Sequence, residues 1–276
     1  MSDQEYPPPH HVLRDLPFEV EIVSGSVQRA HLAAAGTWSV GALATVVDVL
    51  GGSLCAGVVA PDWMATSSLT LRSDAVPQGQ DLVATAAVLR AGRRAVTIEV
   101  ELRTVAGDRV VADAVLAFSR LERRDTNLDL SGRSAEPGTR FGFGEVTGTV
   151  GPALEAMLAT RVLDAAAGVT ETAVTPYVRN SFGAVNGGVV AAIAAHVAAL
   201  TSPDGAGRVD EVAVHHLGQG RHGPVRSSAR TVLDGGGRRV VRVELCDAGA
   251  PADGGQGDGR LMAVAHVGVC NAERHV

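Results

Sequence analysis

The sequence predicts an α+β fold made of two copies of one unit, each a long apolar helix followed by an antiparallel sheet. Residues 36–55, GTWSVGALATVVDVLGGSLC, read as a helix of small and apolar residues. Residues 183–199, GAVNGGVVAAIAAHVAA, say nearly the same thing again. In that register Gly36 lines up with Gly183, Gly41 with Gly188 and Leu43 with Val190. After each helix come four apolar, alternating or β-branched segments separated by short turns, the pattern of an antiparallel meander. The two copies differ at one telling place: Asp48 interrupts the first helix, and Ala195 holds the matching position. A carboxylate in an apolar helix is costly to bury, so Asp48 faces a wet cavity, takes part in chemistry, or is a structural acid bonded to Thr45 or a strand backbone.

Composition narrows the function classes. The chain has 276 residues, 46% hydrophobic and 20% charged, enough for one large domain or two modest ones and unlike a disordered segment. A net charge of −6 and the absence of Lys runs argue against nucleic acid as a partner. Lys is absent altogether, so a phosphate-bearing ligand would have to be met by Arg. Three cysteines without close spacing form neither a disulfide framework nor a metal knuckle. The start MSDQEYPPPHH lacks the basic and apolar regions of a signal peptide, and no apolar run free of charge reaches membrane-spanning length. A cytoplasmic protein with no membrane partner, no metal and no cofactor is the expectation.

Taken in order, residues 1–17 carry Pro7, Pro8, Pro9 and Pro17 and read as an irregular lead. Residues 18–27 alternate loosely and form a first strand, and residues 28–35 run on into the first helix. Strands are expected at 62–72, 81–90, 95–104 and 110–121; in the third, Val96, Ile98, Val100 and Leu102 share one face. Residues 123–140 are polar and hold Pro137, and they read as a linker between a first unit at 18–122 and a second at 141–276. Residues 152–167 look helical with Pro near the start, and residues 171–179 a short strand. After the second helix the strands recur at 208–217, 223–233, 240–245 and from 258 to about Cys270, with 247–257 as a loop insertion. Both main helices are apolar almost all round, which suits a helix wrapped by its sheet, in two units packed as a pseudo-dimer.

The glycine-rich helix start, the acid in the helix, the Pro77–Gly79 turn, the Gly92–Arg93 turn and the four strands, found twice, resemble the hotdog fold and in particular the PaaI-like acyl-CoA thioesterases, here in tandem. That family, as the resemblance implies, opens its helix with His-Gly-Gly, places an acid nine residues after the His, and has an Asn upstream. The first half has Ser39, Val40 and Gly41 with Asp48, and Ala33 at the Asn place; the second has Asn186, Gly187 and Gly188 with Ala195, and Asn180 upstream. The resemblance implies a double hotdog with active sites across the two-fold. One composite site would take Asn180, Asn186, Gly187 and Gly188 from the second half and Asp48 from the first. The other would pair Val40 with Ala195, lack an acid, and be inert.

These residue types suit thioester hydrolysis. Backbone N–H groups at a helix start favour negative charge, glycine lets a carbonyl oxygen approach, and Asp48 would act as general base or nucleophile. Asn180 or Asn186 would orient water or hold the carbonyl, while Asn186 equally suits an N-cap and the two glycines close packing. Arg238 and Arg239, with His222, are the candidate contacts to coenzyme A phosphates; solvent-facing turn charge is the plainer account of them. His196 stands one residue out of register from the acid position and reads first as a packed helix residue, and His215 and His216 alternate across a strand. The expected substrate is therefore an acyl-CoA or an acyl carrier protein thioester, and the resemblance implies that double units assemble further. A non-catalytic acyl-CoA-binding protein and a hotdog dehydratase are the competing functions.

Overall fold

The computed structural model describes residues 6–34, 38–76, 79–123, 136–143, 154–202, 207–251 and 259–270. The first unit opens with one helical turn, α1 (Val12–Asp15), and a hairpin of β1 (Phe18–Ser24) and β2 (Val27–Leu32). The central helix α2 (Val40–Val59) follows, then β3 (Trp63–Ser73), β4 (Leu82–Ala91), β5 (Ala95–Thr104), β6 (Val110–Leu121) and the short β7 (Arg140–Phe141). Beyond it lie α3 (Leu154–Met157), the β8 (Thr160–Asp164) and β9 (Val169–Thr172) hairpin, and a 3-10 turn (Pro176–Val178). The second central helix α4 (Gly187–Leu200) leads into β10 (Arg208–His216), β11 (Val225–Gly235), β12 (Arg238–Asp247) and β13 (Arg260–Cys270).

All strands join one antiparallel sheet in the order β7-β1-β2-β4-β5-β6-β3-β10-β13-β12-β11-β9-β8. Apart from β7 the order is palindromic about the β3–β10 seam, where Arg72 pairs with Glu211 and Ser68 with His215. This is a double hotdog: each half of the sheet wraps its own helix, and the helices meet at the pseudo-two-fold axis. The alternation read from residues 95–104 is the physical cause on the sheet side, since Val96, Ile98, Val100 and Leu102 are all buried under α2. On the helix side, Ser39 caps α2 by accepting the Ala42 N–H, and Asn186 caps α4 by accepting from Gly188 and Val189. Thr45 donates back to the Gly41 carbonyl one turn earlier, which satisfies its hydroxyl inside the core. α2 is long and apolar enough to cross a membrane by composition, yet 72% of its most apolar stretch is buried inside the protein.

The helix crossing depends on two symmetry-related glycines. A Cβ on Gly41 would lie 2.9 Å from the Ala192 Cβ, and a Cβ on Gly188 would lie 2.4 Å from the Thr45 Cα. Gly41 corresponds to Gly188 and Thr45 to Ala192, so the same contact is made twice across the axis.

Four expectations need correction. Residues 28–35 do not run into the helix: Val27–Leu32 is a strand that turns back at Gly25 and pairs with β1 and β4, burying Gln28, Ala30 and Leu32. The strands after α2 are not a simple meander, because β3 crosses to lie beside β6 while only β4, β5 and β6 follow one another. Residues 152–167 contain one helical turn and then an edge hairpin, not a long helix. The alanine run there is the hairpin turn, closed by Asp164 accepting the Ala167 N–H and by Gly168 at φ +57, where a Cβ would strike Ala229 at 2.5 Å. The short strand expected over 171–179 ends at Thr172 and gives way to the 3-10 turn. Most of the proposed linker lies outside the described residues, but Arg140 and Phe141 pair with Glu21 and Val20 and extend the first unit's edge.

The crossing makes a stability prediction. Gly188→Val should cost roughly 1–3 kcal/mol or more by overpacking against the α2 backbone, read as a lowered urea midpoint. Gly57→Ala, also in α2 but facing open space, should instead gain about 0.5–1 kcal/mol from helix propensity.

Candidate active site

Asp48 lies in the third turn of α2 at 6% exposure. Thr66, on β3, donates its hydroxyl to the Asp48 Oδ1 at 2.8 Å. Directly opposite is the start of α4. A Cβ built on Gly187 would lie 3.0 Å from each carboxylate oxygen and 3.1 Å from the Thr66 Oγ1. Gly187 is thus the position where the acid of one unit occupies the side-chain space of the other.

The cavity beside this contact has a volume of about 180 Å³ and is lined from both units. Asp48, Thr66, Asn180, Asn186, Gly187 and His216 form its polar wall. Val49, Gly52 and Ala56, further along α2, line it together with Met64 and Phe118, which gives the cavity an apolar wall beside the carboxylate. Tyr6 and Leu13 of the N-terminal lead close one side, held there by His11, whose Nε2 meets the Arg179 carbonyl at 2.7 Å.

Burial pushes the Asp48 carboxyl up to about 6, against the downward pull of the Thr66 hydroxyl and the Gly188 N–H. His216 is pushed the other way, down to about 4, by burial and by the neighbouring His215, so its ring is neutral at pH 7. Its Nε2 has no hydrogen-bond partner among the described residues. Asn180 spends its side-chain oxygen on the loop, accepting the Phe182 and Ala184 N–H groups at 3.0 and 3.1 Å. Asn186 spends its own on the Gly188 and Val189 N–H groups. Both line the cavity, and these contacts use the oxygen of each amide and leave its N–H₂ end as a donor.

Of the expected site residues, the structure brings Asp48, Asn180, Asn186 and Gly187 to one cavity. Gly188 does not line the cavity: it packs on the α2 backbone, and its N–H, held by Asn186 at 2.9 Å, also acts on the Asp48 carboxylate. That leaves Gly187 as the glycine of the helix start at the cavity.

Arg238, Arg239 and His222 do not line it. Arg238 is paired with Asp210 and Glu211, and Arg239 is buried and bonded to the Thr201 carbonyl and Ser202 hydroxyl. His222 sits in a turn whose Arg221, His222 and Gly223 N–H groups all converge on Asp247. Two other arginines border the cavity through Gln219, which lines it: Arg221 donates to the Gln219 Oε1 and Arg260 to the Gln219 carbonyl.

Sequence reasoning also missed Thr66 and the position of His216. Thr66 stands in a Ser/Thr-rich strand where nothing marks it out, whereas the His215–His216 alternation did imply that one ring faces inward. Trp63 and Phe182 meet across the units, ring centroids 3.9 Å apart, so they pack on each other beside the cavity. No cluster of metal-ligating side chains occurs among the described residues.

The sequence matches no protein-family model and no curated protein. Solved structures do match over nearly the whole chain. A tesB protein of Mycobacterium avium subs paratuberculosis is 13% identical, covering 94% of this chain and 97% of its own, at a TM-score of 0.59. An acyl-ACP thioesterase from Bacteroides thetaiotaomicron is 12% identical over 87% of this chain and 96% of its own, at 0.54. The 12:0-ACP thioesterase from Umbellularia californica is 9% identical over 88% and 93%, at 0.55. At these identities the likeness establishes the fold.

The buried acid gives a two-sided prediction. Folded Asp48 holds its proton up to about pH 6, above the roughly 3.9 of an unfolded Asp, so stability is lost as pH rises through that interval. Above pH 7 the buried charge costs up to about 3 kcal/mol. Asp48→Asn should therefore raise the melting temperature at pH 8 by several degrees, with the gain shrinking towards pH 4 in parallel melts.

Proposed function

We propose that this chain hydrolyses an acyl thioester, of coenzyme A or of an acyl carrier protein, at the composite cavity between its two units. The observation that carries the reading is the buried Asp48 carboxylate of one unit set against the start of the other unit's central helix, in a cavity with an apolar wall. The solved proteins that share the fold include thioesterases acting on acyl carrier protein substrates by name, which favours the same reaction class here.

In this mechanism the acyl chain lies along α2 past Gly52, and the thioester carbonyl points at the start of α4. The Gly187 N–H, with the helix dipole behind it, receives the oxygen as charge develops there. Asp48, held by Thr66, takes a proton from water as the water oxygen bonds to the carbonyl carbon. Collapse breaks the C–S bond, and the departing thiolate takes the proton from Asp48. A carboxylate poised near pH 6 is ionised at neutral pH and still basic enough for this transfer, which favours the general-base route. The Asn180 and Asn186 amides orient the water or the carbonyl. Arg221 and Arg260, at the Gln219 edge, are the cations best placed for coenzyme A phosphates.

His216 supports a second reading. A neutral imidazole with an unpartnered nitrogen in the same cavity as an acid is the pairing that hydration or dehydration of an acyl thioester uses. Crotonyl-CoA consumed without release of thiol would favour it; tight acyl-CoA binding with neither reaction would favour a binding protein.

The test is release of free coenzyme A from short, medium, long and aromatic acyl-CoAs. Activity of the intact chain should rise with pH through about 6 and level off above it. Asp48→Asn should lower kcat by roughly 10²-fold or more. Arg221→Ala should raise KM several-fold for acyl-CoA with little change in kcat, and should leave acyl-pantetheine, which lacks the nucleotide, almost unaffected. Full turnover in Asp48→Asn would overturn the assignment of the base.

A further inference from the structure

The pseudo-two-fold axis that generates the first cavity generates a second, at the start of α2. It has a volume of about 390 Å³. Ala195 lies in its wall where Asp48 would stand by symmetry, so the central helix supplies no acid there. Of the two acids that line it, Asp74 is paired with Arg109 at the rim. The other comes from α3, which holds the place in the second unit that α1 holds in the first: it brings Glu155 into the cavity, where Ser39 donates its hydroxyl to the Glu155 Oε1 at 2.9 Å.

The two arrangements are similar in kind, though their residues are not symmetry equivalents. In the first, a carboxylate oxygen accepts a hydroxyl, from Thr66 at 2.8 Å, and lies 3.0 Å from where the Cβ of Gly187 would be. In the second, a carboxylate oxygen accepts a hydroxyl from Ser39 and lies 2.5 Å from where the Cβ of Gly41 would be. Each acid therefore meets the first turn of a central helix. In each, one carboxylate oxygen is tied to a hydroxyl. The other oxygen of Glu155 is buried with no hydrogen-bond partner among the described residues.

The rest of the cavity has no evident purpose in the fold alone. Trp38, at 5% exposure, lines it and has an unpartnered indole N–H among the described residues. His196 lines it as well, and Glu155 is the charge that acts on it. Val40, Ala195, Ala199 and Val209 make the wall apolar, and Arg208 borders it. Orphaned donors and acceptors around an apolar space are what a polar head on an apolar ligand would satisfy.

We infer that this second cavity is a hydrolytic site of its own for acyl thioesters, with Glu155 as its base and Ser39 positioning that base. The inference rests on the thioester reading of the first cavity. Glu155 takes the proton of a water whose oxygen bonds to the thioester carbon; the C–S bond breaks, and the leaving thiolate takes the proton back from Glu155. The Val40 and Gly41 N–H groups at the start of α2 face the developing oxyanion, as Gly187 does in the first site. The chain would then carry two sites with different acids, not one active and one empty.

Two measurements on the full chain test this. The first is the number of molecules of a non-hydrolysable acyl-CoA thioether bound per chain, by titration calorimetry. Two are expected, falling to one when Ala199→Trp fills the second cavity; one per chain without that substitution overturns the second site whatever the hydrolysis assays give. The second is coenzyme A release by Asp48→Asn and by Asp48→Asn with Glu155→Gln. Asp48→Asn should keep a residual activity that the added Glu155→Gln lowers by a further tenfold or so. Equal rates in the single and double variants overturn Glu155 as a base. Two bound thioethers with no hydrolysis by any form would defeat the hydrolytic reading of both cavities and leave a second binding site standing.

Discussion

The close approach of α2 and α4 is the constraint on which the rest of the structure depends. The helices cross so tightly that a single methyl group at Gly188 would sit 2.4 Å from the Thr45 Cα, and its mirror contact at Gly41 meets Ala192. Close-packed interiors transmit such changes instead of absorbing them. A side chain at either glycine would push the helices apart, and the displacement would be felt one turn away, where Asp48 faces Gly187. The same crossing that buries both apolar helices therefore sets the distance between an acid on one repeat and a helix start on the other. Neither unit alone possesses that pair.

Holding Asp48 there works against stability. The residue is 6% exposed, with one hydroxyl donor and no cation bonded to its carboxylate among the described residues. The compensation is partial: the Thr66 hydroxyl and the positive end of α4 favour the charged form, while burial opposes it and dominates. A fold optimised for stability alone would place an apolar residue at 48, as it does at 195. Asn186 shows how the opposing demands are reconciled elsewhere. Its side-chain oxygen caps two N–H groups of α4, which the helix needs, while the residue also lines the cavity. Capping and site-building are compatible in one residue because an amide has separate acceptor and donor ends.

The long inner strands were legible because each has one buried face: alternation in β5, with Val96, Ile98, Val100 and Leu102 inward, leaves little choice of period. The edge hairpins were not. β8 is exposed along almost its whole length, so its residues carry no burial pattern, and alanines that favour a helix locally are used as a turn by tertiary pairing with β9. β2 was obscured by its position next to the helix. For the site, Asp48 was legible because a charge in an apolar run has few structural excuses, and Asn180, Asn186 and Gly187 because the repeat fixed their register. Thr66 was not, since a threonine in a strand is ordinary until its partner is known. Arg238 and Arg239 looked available for phosphate because Asp210, Glu211 and Ser202, which hold them, are distant in sequence and adjacent only in the sheet.

A covalent repeat also relaxes a rule that binds true dimers. In a two-fold homodimer the two sites are identical, so an acid placed in one is placed in both, and the unfavourable burial is incurred twice. Fusing the copies allows residue 48 to remain Asp while residue 195 becomes Ala, and residue 187 to be Gly while its counterpart, residue 40, is Val. The symmetry of the backbone survives in the palindromic strand order, because packing and hydrogen bonding demand it. The symmetry of the side chains does not survive, because nothing in the sheet requires it. What fills the second position is then free to come from a different element of the repeat. Glu155 does: it reaches the start of α2 from α3, the second unit's counterpart of α1, whose Leu13 lines the first cavity with an apolar side chain instead.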